Sequence, residues 1–432
     1  MPRFLSSINI NEVSILLRKF MKDEEILKFR FNELLHTLCK NIQRARYEKL
    51  MIKLAIAYEG SNFYLPAFLD FRGRIYRCGI LHFHERDLAR SLIVFSDNKS
   101  MDTKQTETMM SAAAFHYKSF VSVEESLEWF RSNLNIISQN IPDVALEAKR
   151  PFQFLANLIG LTLTQNSNIP ITQDASSSAY QIMSYFLLDE TLAKRTNLIL
   201  DADGDGKIQD VYCFILEELK EFMKAELEIN LSEIVCKNLT RKLVKGIFMP
   251  IIYGKTLMST ASNIKDQLFH YLTHKECFDV ASVCFKFWRT KYQNMECLIR
   301  LIRHIGWIAS ARDRPVFYRV PYFTTVQDYM VMEAINIWVY DRLHKKRRRV
   351  TLRVSSSKRD RRKTEISTFV NFIHQRDAHI AMSVVEKMLE LNIPIYTVHD
   401  NFITTAQYSN LLPMIYSNAF INMGPPLSII NK

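Results

Sequence analysis

The sequence has little that would build linkers, disulfides or membrane spans. Its 432 residues include only 10 glycines and 12 prolines, so long flexible linkers are not expected. The seven cysteines are odd in number and form no CxxC motif, which argues against a disulfide framework or a zinc site and fits a reducing compartment. No apolar run is long enough to cross a bilayer, so no membrane partner is expected.

Apolar side chains, by contrast, are plentiful. Hydrophobic residues make up 48% of the chain and include 28 Phe and 18 Tyr, which is enough for a large core. The length suits one large domain or two to three ordinary ones. Helical spacing of apolar residues predicts helices over residues 11–58, 101–165, 181–192, 208–227 and 369–391.

The positive charge is concentrated in one tract. The net charge is +12, and residues 342–363 hold twelve of the lysines and arginines with one acid, Asp360, so nearly all of the excess lies there. The tract also contains three consecutive serines and few apolar residues, which predicts a mobile loop. A disordered, solvated insert would have the same composition. The high charge density is at least as consistent with electrostatic binding of nucleic acid.

Two carboxylates far apart in sequence occupy comparable positions. Asp400 follows His399 at the centre of residues 393–405, a stretch whose β-forming flanks predict a hairpin. Asp174 follows the apolar run 169–173 and precedes the small-residue turn 175–179. Either acid alone is an ordinary turn residue. Together, at the end of one sheet, they could share a pair of Mg²⁺ ions for phosphoryl or nucleotidyl transfer.

A basic helix segment provides cations for such chemistry. Arg241 and Lys245 are four residues apart, which puts both on one helix face, and the helix is predicted to break at Tyr253–Gly254. Two cations one turn apart repel unless solvent screens them or an anion such as a triphosphate lies between them. An exposed basic helix is the structural alternative.

Two charged turns are less informative on their own. Residues 70–74 (Asp-Phe-Arg-Gly-Arg) enter a predicted strand, and two guanidinium groups around a glycine suit a phosphate backbone, although a structural Arg–Asp turn explains them as well. Residues 201–208 begin like a calcium loop, but the twelfth position is Tyr212 rather than the required Glu, so we interpret them as a solvated acidic turn.

The order of these motifs resembles a known enzyme family. Asp-x-Arg-Gly-Arg, the Asp174 turn, Arg-x₃-Lys-x₇-Tyr-Gly, the stretch 371–377 (Asn-Phe-Ile-His-Gln-Arg-Asp) and the His-Asp hairpin follow one another as in single-subunit DNA-dependent RNA polymerases of phages and mitochondria. The sequence is most similar to those of mitochondrial linear plasmids. The resemblance covers residues 60–432.

The resemblance implies roles at the reaction centre. Asp174 and Asp400 would be the catalytic carboxylates that bind two Mg²⁺ ions. Lys245, also catalytic, and Arg241 would hold the incoming ribonucleoside triphosphate. Tyr253, as the remaining catalytic residue, would contact the ribose and distinguish its 2′-hydroxyl.

Further roles follow for substrate and nucleic acid. His374 would sit with Tyr253 beside the ribose, and Gly254 and His399 would complete the substrate site. The DNA template and RNA product would contact Arg72 and Arg74. The remaining basic residues assigned to nucleic acid are Lys345, Lys346, Arg347, Arg348 and Arg349.

The implied fold is α+β and mostly helical, a right hand with a palm sheet, inserted helical fingers and a remnant of the thumb. The expected domains are a helical thumb or N-terminal remnant (1–58), the first part of the palm (59–200), fingers with the basic insert (201–368) and the C-terminal part of the palm (369–432). The resemblance also implies a mitochondrial location. A separate N-terminal part or an initiation factor is a further candidate partner.

The sequence departs from the family pattern in ways that leave alternatives open. Ala175, Ala179 and Ile182 stand where the family usually has Gly, Gly and His, and little of the chain precedes the 70–74 motif. A catalytically inactive nucleic-acid-binding remnant is therefore one alternative. A related DNA polymerase is a weaker one, since residues 175–182 lack the acid that those enzymes carry as a steric gate.

Overall fold

The computed structural model describes residues 25–96, 101–164, 168–199, 206–268, 270–342 and 344–431. The protein is mostly helical with some strands, as the sequence predicts. None of its described helices combines the length and apolar character needed to cross a membrane. Several sequence predictions include residues outside these ranges, namely the start of the 11–58 helix, the end of the 101–165 helices, the acidic turn at 201–205 and residue 343 of the basic tract.

The first part of the chain is a long helix followed by a small hairpin. Helix α1 spans Glu25–Tyr58. Strands β1 (Ala67–Leu69) and β2 (Ile75–Arg77) pair antiparallel around the 70–74 turn. The predicted entry of this turn into a strand is confirmed.

A helical block follows, as predicted for residues 101–165. It contains α2 (Asp87–Ser91), α3 (Thr103–Tyr117), α4 (Val123–Gln139), α5 (Ile141–Glu147) and α6 (Pro151–Ile159), with a π-helical turn over Gly160–Thr164. Side chains cap the helix starts. Asp102 accepts a hydrogen bond from the Gln105 amide, and the Asp87 carboxylate accepts from the Phe152 amide at the start of α6. A cluster of buried aromatic and aliphatic side chains joins α3, α4, α5 and α6.

A three-stranded sheet joins distant parts of the chain. Strand β3 (Ile171–Asp174) pairs antiparallel with β9 (Asn401–Thr404), which pairs antiparallel with β8 (Tyr396–Val398). The order is therefore β3-β9-β8, with residues of β3 and β9 more than 200 positions apart in sequence. The predicted hairpin at 393–405 is confirmed.

The chain between β3 and residue 312 is largely helical. Its helices are α7 (Ser178–Leu187), α8 (Glu190–Arg195), α9 (Val211–Glu226), α10 (Ile229–Asn238), α11 (Arg241–Ile252), α12 (Leu257–Leu268), α13 (His274–Lys291) and α14 (Gln293–Ala311). The single helix predicted over 181–192 is two helices, because Leu188 turns the chain at a positive φ of 53°. Apolar faces of α7, α9, α11, α13 and α14 pack into the main core, with Trp288 and Phe248 fully buried.

The basic tract is not a mobile loop, and this prediction is wrong. After the short hairpin β4 (Val316–Arg319) and β5 (Thr324–Gln327), strands β6 (Met330–Asp341) and β7 (Lys346–Arg359) form a second, much longer antiparallel hairpin. With 12 and 14 residues, these strands extend about 40 Å. Val350, Leu352 and Val354 recur at every second residue, a strand periodicity of two, but the five consecutive basic residues before them concealed it.

The last part of the chain packs helices onto the main core. Helix α15 spans Arg361–Glu390 and is capped by the Asp360 side chain. It begins eight residues before the start of the predicted 369–391 helix. After β8 and β9 come a 3₁₀ turn at Ser409–Leu411, helix α16 (Leu412–Asn422) and helix α17 (Pro426–Asn431). Helices α15 and α16 pack on the same core as α7, which places α15 beside the sheet.

Candidate active site

The two acids that the sequence singled out meet at one end of the sheet. Asp174, the last residue of β3, is paired in register with Asn401, and Asp400 is the preceding residue in the β8–β9 turn. The Ala175 amide donates a hydrogen bond of 3.1 Å to the Asp400 carbonyl, which fixes the two turns together. The prediction that Asp174 and Asp400 lie together on one sheet is confirmed, whereas metal binding by them stays a prediction.

The electrostatics of the pair favour a cation. Burial, followed by the charge of Asp400, raises the pKa of the Asp174 carboxyl, and the Asn401 side chain, Arg150 and Lys245 oppose that rise. Asp174 is nevertheless open to solvent at its edge of the sheet. Because the two carboxylates repel, a divalent ion between them would relieve the repulsion.

Two carboxylates are a donor set that magnesium uses. In the described parts of the chain, no group of three or more His, Cys, Asp or Glu side chains could enclose a metal. Mg²⁺ usually keeps several waters and binds through one or two carboxylates plus substrate phosphates, so an all-protein cage is not required. Asp174 and Asp400 therefore fit the ion that the sequence predicts.

His399 forms the apex of the same turn. Its backbone lies in the left-handed region with φ 59°, which directs the chain back into β9. Its ring lies 5.0 Å from the Tyr76 ring and 5.4 Å from the His84 ring, measured between centroids. Burial, reinforced by Arg74, lowers the pKa of His399, so this ring is packed as a neutral group beside Asp400.

Helix α11 presents the two predicted cations on one face. Thr240 caps the helix, and both Arg241 and Lys245 lie over the Tyr212 ring, at 5.6 Å and 5.4 Å from its centroid. Lys245 is near enough to Asp174 to lower the pKa of that carboxyl. Arg241 is one turn further away and makes a 2.6 Å ion pair with Asp210.

Tyr253 and Gly254 end helix α11 next to His374. Gly254 turns the chain at φ +88°, and a Cβ there would lie 3.0 Å from Arg303 Nη2, so glycine suits both the backbone and the packing. The Tyr253 and His374 rings are 5.3 Å apart between centroids. Burial raises the pKa of the Tyr253 hydroxyl well above its usual range, which keeps it protonated as a hydrogen-bond donor.

The 70–74 turn faces this site through its arginines. The Asp70 carboxylate accepts hydrogen bonds from the Arg72 and Arg74 backbone amides and from the Arg72 guanidinium. Arg72 Nη1 lies 2.6 Å from His374 Nδ1. Arg74 makes a 2.6 Å ion pair with Asp377, one turn further along α15. The contacts of Arg72 and Arg74 with nucleic acid stay predictions. The contacts with His374 and Asp377 were not predicted from the sequence.

Sequence reasoning missed two residues that organise this region. Asp377 is only 5% exposed, and burial raises its pKa to about 6 against the opposing charge of Arg74. Phe323 packs against the turn so closely that a Cβ on Gly73 would fall 1.9 Å from its ring. The position of Asp377 three residues after His374, on the same helix face, was the available signal for the first. Phe323 left none.

The predicted nucleic-acid-binding residues of the hairpin lie in the β6–β7 turn and at the start of β7. Lys345 is in the β6–β7 turn with φ 48°, and the following four residues start β7. Arg347 and Arg349 lie directly opposite Tyr340 and Trp338 on one face, where these rings are 58% and 70% exposed. On the other face, Lys346 is paired with Asp341, and Arg348 makes a 2.9 Å ion pair with the same acid.

Comparison with known proteins agrees with the order of these motifs. A family model described as DNA-dependent RNA polymerase matches residues 109–427. The chain belongs to the DNA-dependent RNA polymerases of the single-subunit, phage and mitochondrial type. The expected link to mitochondrial plasmids stays a prediction.

Several relatives of this polymerase chain are much longer. A probable DNA-directed RNA polymerase of Zea mays is 34% identical over 100% of this chain and 44% of its own length. One from Agaricus bitorquis is 26% identical over 86% of this chain and 37% of its own. The mitochondrial DNA-directed RNA polymerase of Schizosaccharomyces pombe is 25% identical over 86% and 35%. The chain thus spans less than half the length of these three relatives.

Proposed function

We propose that this chain carries out DNA-templated RNA synthesis from ribonucleoside triphosphates by a two-metal nucleotidyl transfer. The observation that carries the proposal is the convergence of Asp174 and Asp400 on one sheet, with Lys245 beside them. Family membership supports the reaction class, since relatives are named DNA-directed RNA polymerases.

The acids supply the metal ligands in this proposal. Mg²⁺ held by Asp174 and Asp400 would activate the attacking 3′-hydroxyl and neutralise the leaving pyrophosphate. The Asn401 side chain, hydrogen-bonded to Asp174, orients that carboxylate. The Ala175–Asp400 backbone hydrogen bond holds the two turns at a fixed spacing.

Helix α11 positions the triphosphate. The charge of Lys245 acts on the Asp174 carboxyl and lowers its pKa, so in this proposal its ammonium group neutralises charge that develops on the transferred phosphoryl group. Arg241, partly satisfied by Asp210, lies one turn further out and suits the distal phosphates. His399 and Gly254 shape the walls of the same site through their left-handed turns.

Tyr253 and His374 select the sugar. A protonated phenol and a neutral imidazole 5.3 Å apart between ring centroids can both hydrogen-bond a 2′-hydroxyl. A deoxyribonucleotide would leave these polar groups unpaired, which disfavours it.

The long hairpin provides a surface for nucleic acid. On one of its faces, exposed rings of Trp338 and Tyr340 alternate with guanidinium groups of Arg347 and Arg349. Aromatic rings stack on bases and arginines bind phosphates, so this face fits the DNA template or RNA product.

The architecture that follows is a right hand. The sheet that carries both acids would lie in the palm (59–200 and 369–432), the helices and hairpins of residues 201–368 would be the fingers, and α1 would be part of the thumb or N-terminal region (1–58). A mitochondrial location is consistent with relatives that are named mitochondrial. An initiation factor is a further candidate partner in this proposal.

Primer extension on a DNA template with an RNA primer tests the function. We expect Mg²⁺-dependent incorporation of ribonucleotides, lost in Asp400→Asn and retained in Asp279→Asn, a matched change of an acid outside the site. Preference for deoxyribonucleotides would instead indicate a DNA polymerase. Salt-sensitive binding without extension by the wild-type chain would identify an inactive nucleic-acid-binding remnant.

A further inference from the structure

Arg72 makes a contact that constrains the protonation of His374. Its Nη1 atom lies 2.6 Å from His374 Nδ1, a hydrogen-bond distance. A guanidinium group carries only donors and stays charged at any ordinary pH. His374 Nδ1 must therefore be the acceptor and carry no proton. Both the imidazolium form and the neutral form protonated on Nδ1 are incompatible with this contact.

The orientation of Arg72 is itself fixed. Asp70 Oδ2 accepts from Arg72 Nε at 3.0 Å and from Nη2 at 2.9 Å, while Asp70 Oδ1 accepts from the Arg72 amide at 2.9 Å. Three of the donors of Arg72 are thus held by one carboxylate, and Nη1 is left to point at the imidazole. Gly73 allows the tight turn that brings Asp70 and Arg72 together.

The surroundings of His374 agree with a neutral ring. Burial is the first cause that lowers its pKa, and the nearby Arg74, Arg72 and His399 act in the same direction. Asp377 is engaged by Arg74 at 2.6 Å. The nearest carboxylates therefore hold the arginines rather than the imidazole.

We propose that Arg72 is a positioning residue that holds His374 as the neutral imidazole with its single proton on Nε2. His374 then offers a donor, and never an acceptor, from the nitrogen that faces away from Arg72. Beside Tyr253, this donor can reach the oxygen of a ribose 2′-hydroxyl. Arg72 thus sets sugar selection through His374, an inference that rests on the proposed function for its substrate.

The proposal predicts an observation that does not depend on polymerase activity. In the full chain labelled with ¹⁵N-histidine, the His374 signal is identified as the one missing from His374→Gln. At neutral pH we expect a neutral ring protonated on Nε2. A ring protonated on Nδ1, or an imidazolium, would overturn the proposal even if no variant of Arg72 folds.

Variants of Arg72 then separate positioning from nucleic-acid binding. Arg72→Lys retains a cationic donor, whereas Arg72→Gln can turn either a donor or an acceptor toward the ring. We expect Arg72→Gln to give mixed tautomers and to lower discrimination in kcat/KM between ribo- and deoxyribonucleotides by roughly 5- to 100-fold, the effect of an unsatisfied polar group. Arg72→Lys should retain most of the selectivity. The matched control is Arg131→Gln, which removes an exposed arginine that pairs with Glu107.

The outcomes distinguish the two hypotheses. If Arg72 instead binds the template or hybrid, Arg72→Gln will weaken nucleic-acid binding and reduce its salt dependence while the tautomer and the selectivity stay unchanged, and the proposal is then wrong. If the wild-type chain extends no primer, the proposed function fails, but the ¹⁵N spectrum still decides whether Arg72 fixes the tautomer.

Discussion

Replacing Gly73 with alanine tests how the 70–74 turn is held against the rest of the site. Gly73 has φ +83°, and an added Cβ would lie 1.9 Å, 2.2 Å and 2.4 Å from three ring carbons of Phe323. The left-handed backbone costs an alanine about 1–2 kcal/mol. Forcing the ring aside adds about 1–3 kcal/mol, as in other overpacked sites. Gly73→Ala should therefore lower the free energy of unfolding by roughly 2–5 kcal/mol.

A second glycine isolates the two contributions. Gly60 has a similar φ of +75°, but a Cβ there meets no atom within 4 Å, so Gly60→Ala should cost only the backbone part, about 1–2 kcal/mol. Urea denaturation followed by circular dichroism measures both variants. If the Phe323 contact matters, Gly73→Ala is the more destabilised, and Phe323→Ala in the same chain recovers part of the difference. Equal midpoints for the two glycine variants would refute the packing of Phe323 on the turn.

Three further predictions concern substrate and nucleic acid. Tyr253→Phe should lower the discrimination between ribo- and deoxyribonucleotides by roughly 2- to 10-fold, the value of one hydrogen bond, while primer extension stays largely intact. Unchanged discrimination would show that the Tyr253 hydroxyl does not select the sugar. Since burial lowers the pKa of His374 to about 3, its neutral form persists above that value, so discrimination should stay flat between about pH 6 and 8. An inflection near the ordinary histidine pKa would contradict this. Arg349→Ala should weaken binding to single-stranded nucleic acid and reduce the slope of log K against log salt by about 1, whereas Arg131→Ala should not.

The sequence predicts the centre of the site well because its signals are local. Asp174 ends a short β run just before a turn, Asp400 lies in the turn after another, and antiparallel pairing of β3 with β9 brings the two turns together. Helix α11 can likewise be predicted from local sequence, since Arg241 and Lys245 lie on one face and the turn at Gly254 ends the helix. The strands, the turns and the helix face depend on neighbouring residues and can be inferred without the fold, whereas the pairing of β3 with β9 joins positions more than 200 residues apart.

Features that depend on distant contacts could not be inferred. Nothing near Arg72 indicates that its guanidinium meets His374, about 300 residues later, and the turn alone is equally typical of phosphate binding. The long hairpin was missed for a different reason. Apolar residues recur at every second position only over residues 350–354, and a run of charge and serine is also typical of a mobile loop, so only the pairing with β6 distinguishes the two.

The most direct test of the central claim is to count divalent ions by electron paramagnetic resonance, with Mn²⁺ in place of Mg²⁺. With a non-hydrolysable ribonucleoside triphosphate analogue bound, the wild-type chain should hold two ions, as expected for paired carboxylates and substrate phosphates. A folded chain carrying both Asp174→Asn and Asp400→Asn should lose this binding and retain only the weak association of Mn²⁺ with free nucleotide. If the double variant binds Mn²⁺ with the same number and affinity as the wild type, the two acids are not the metal site.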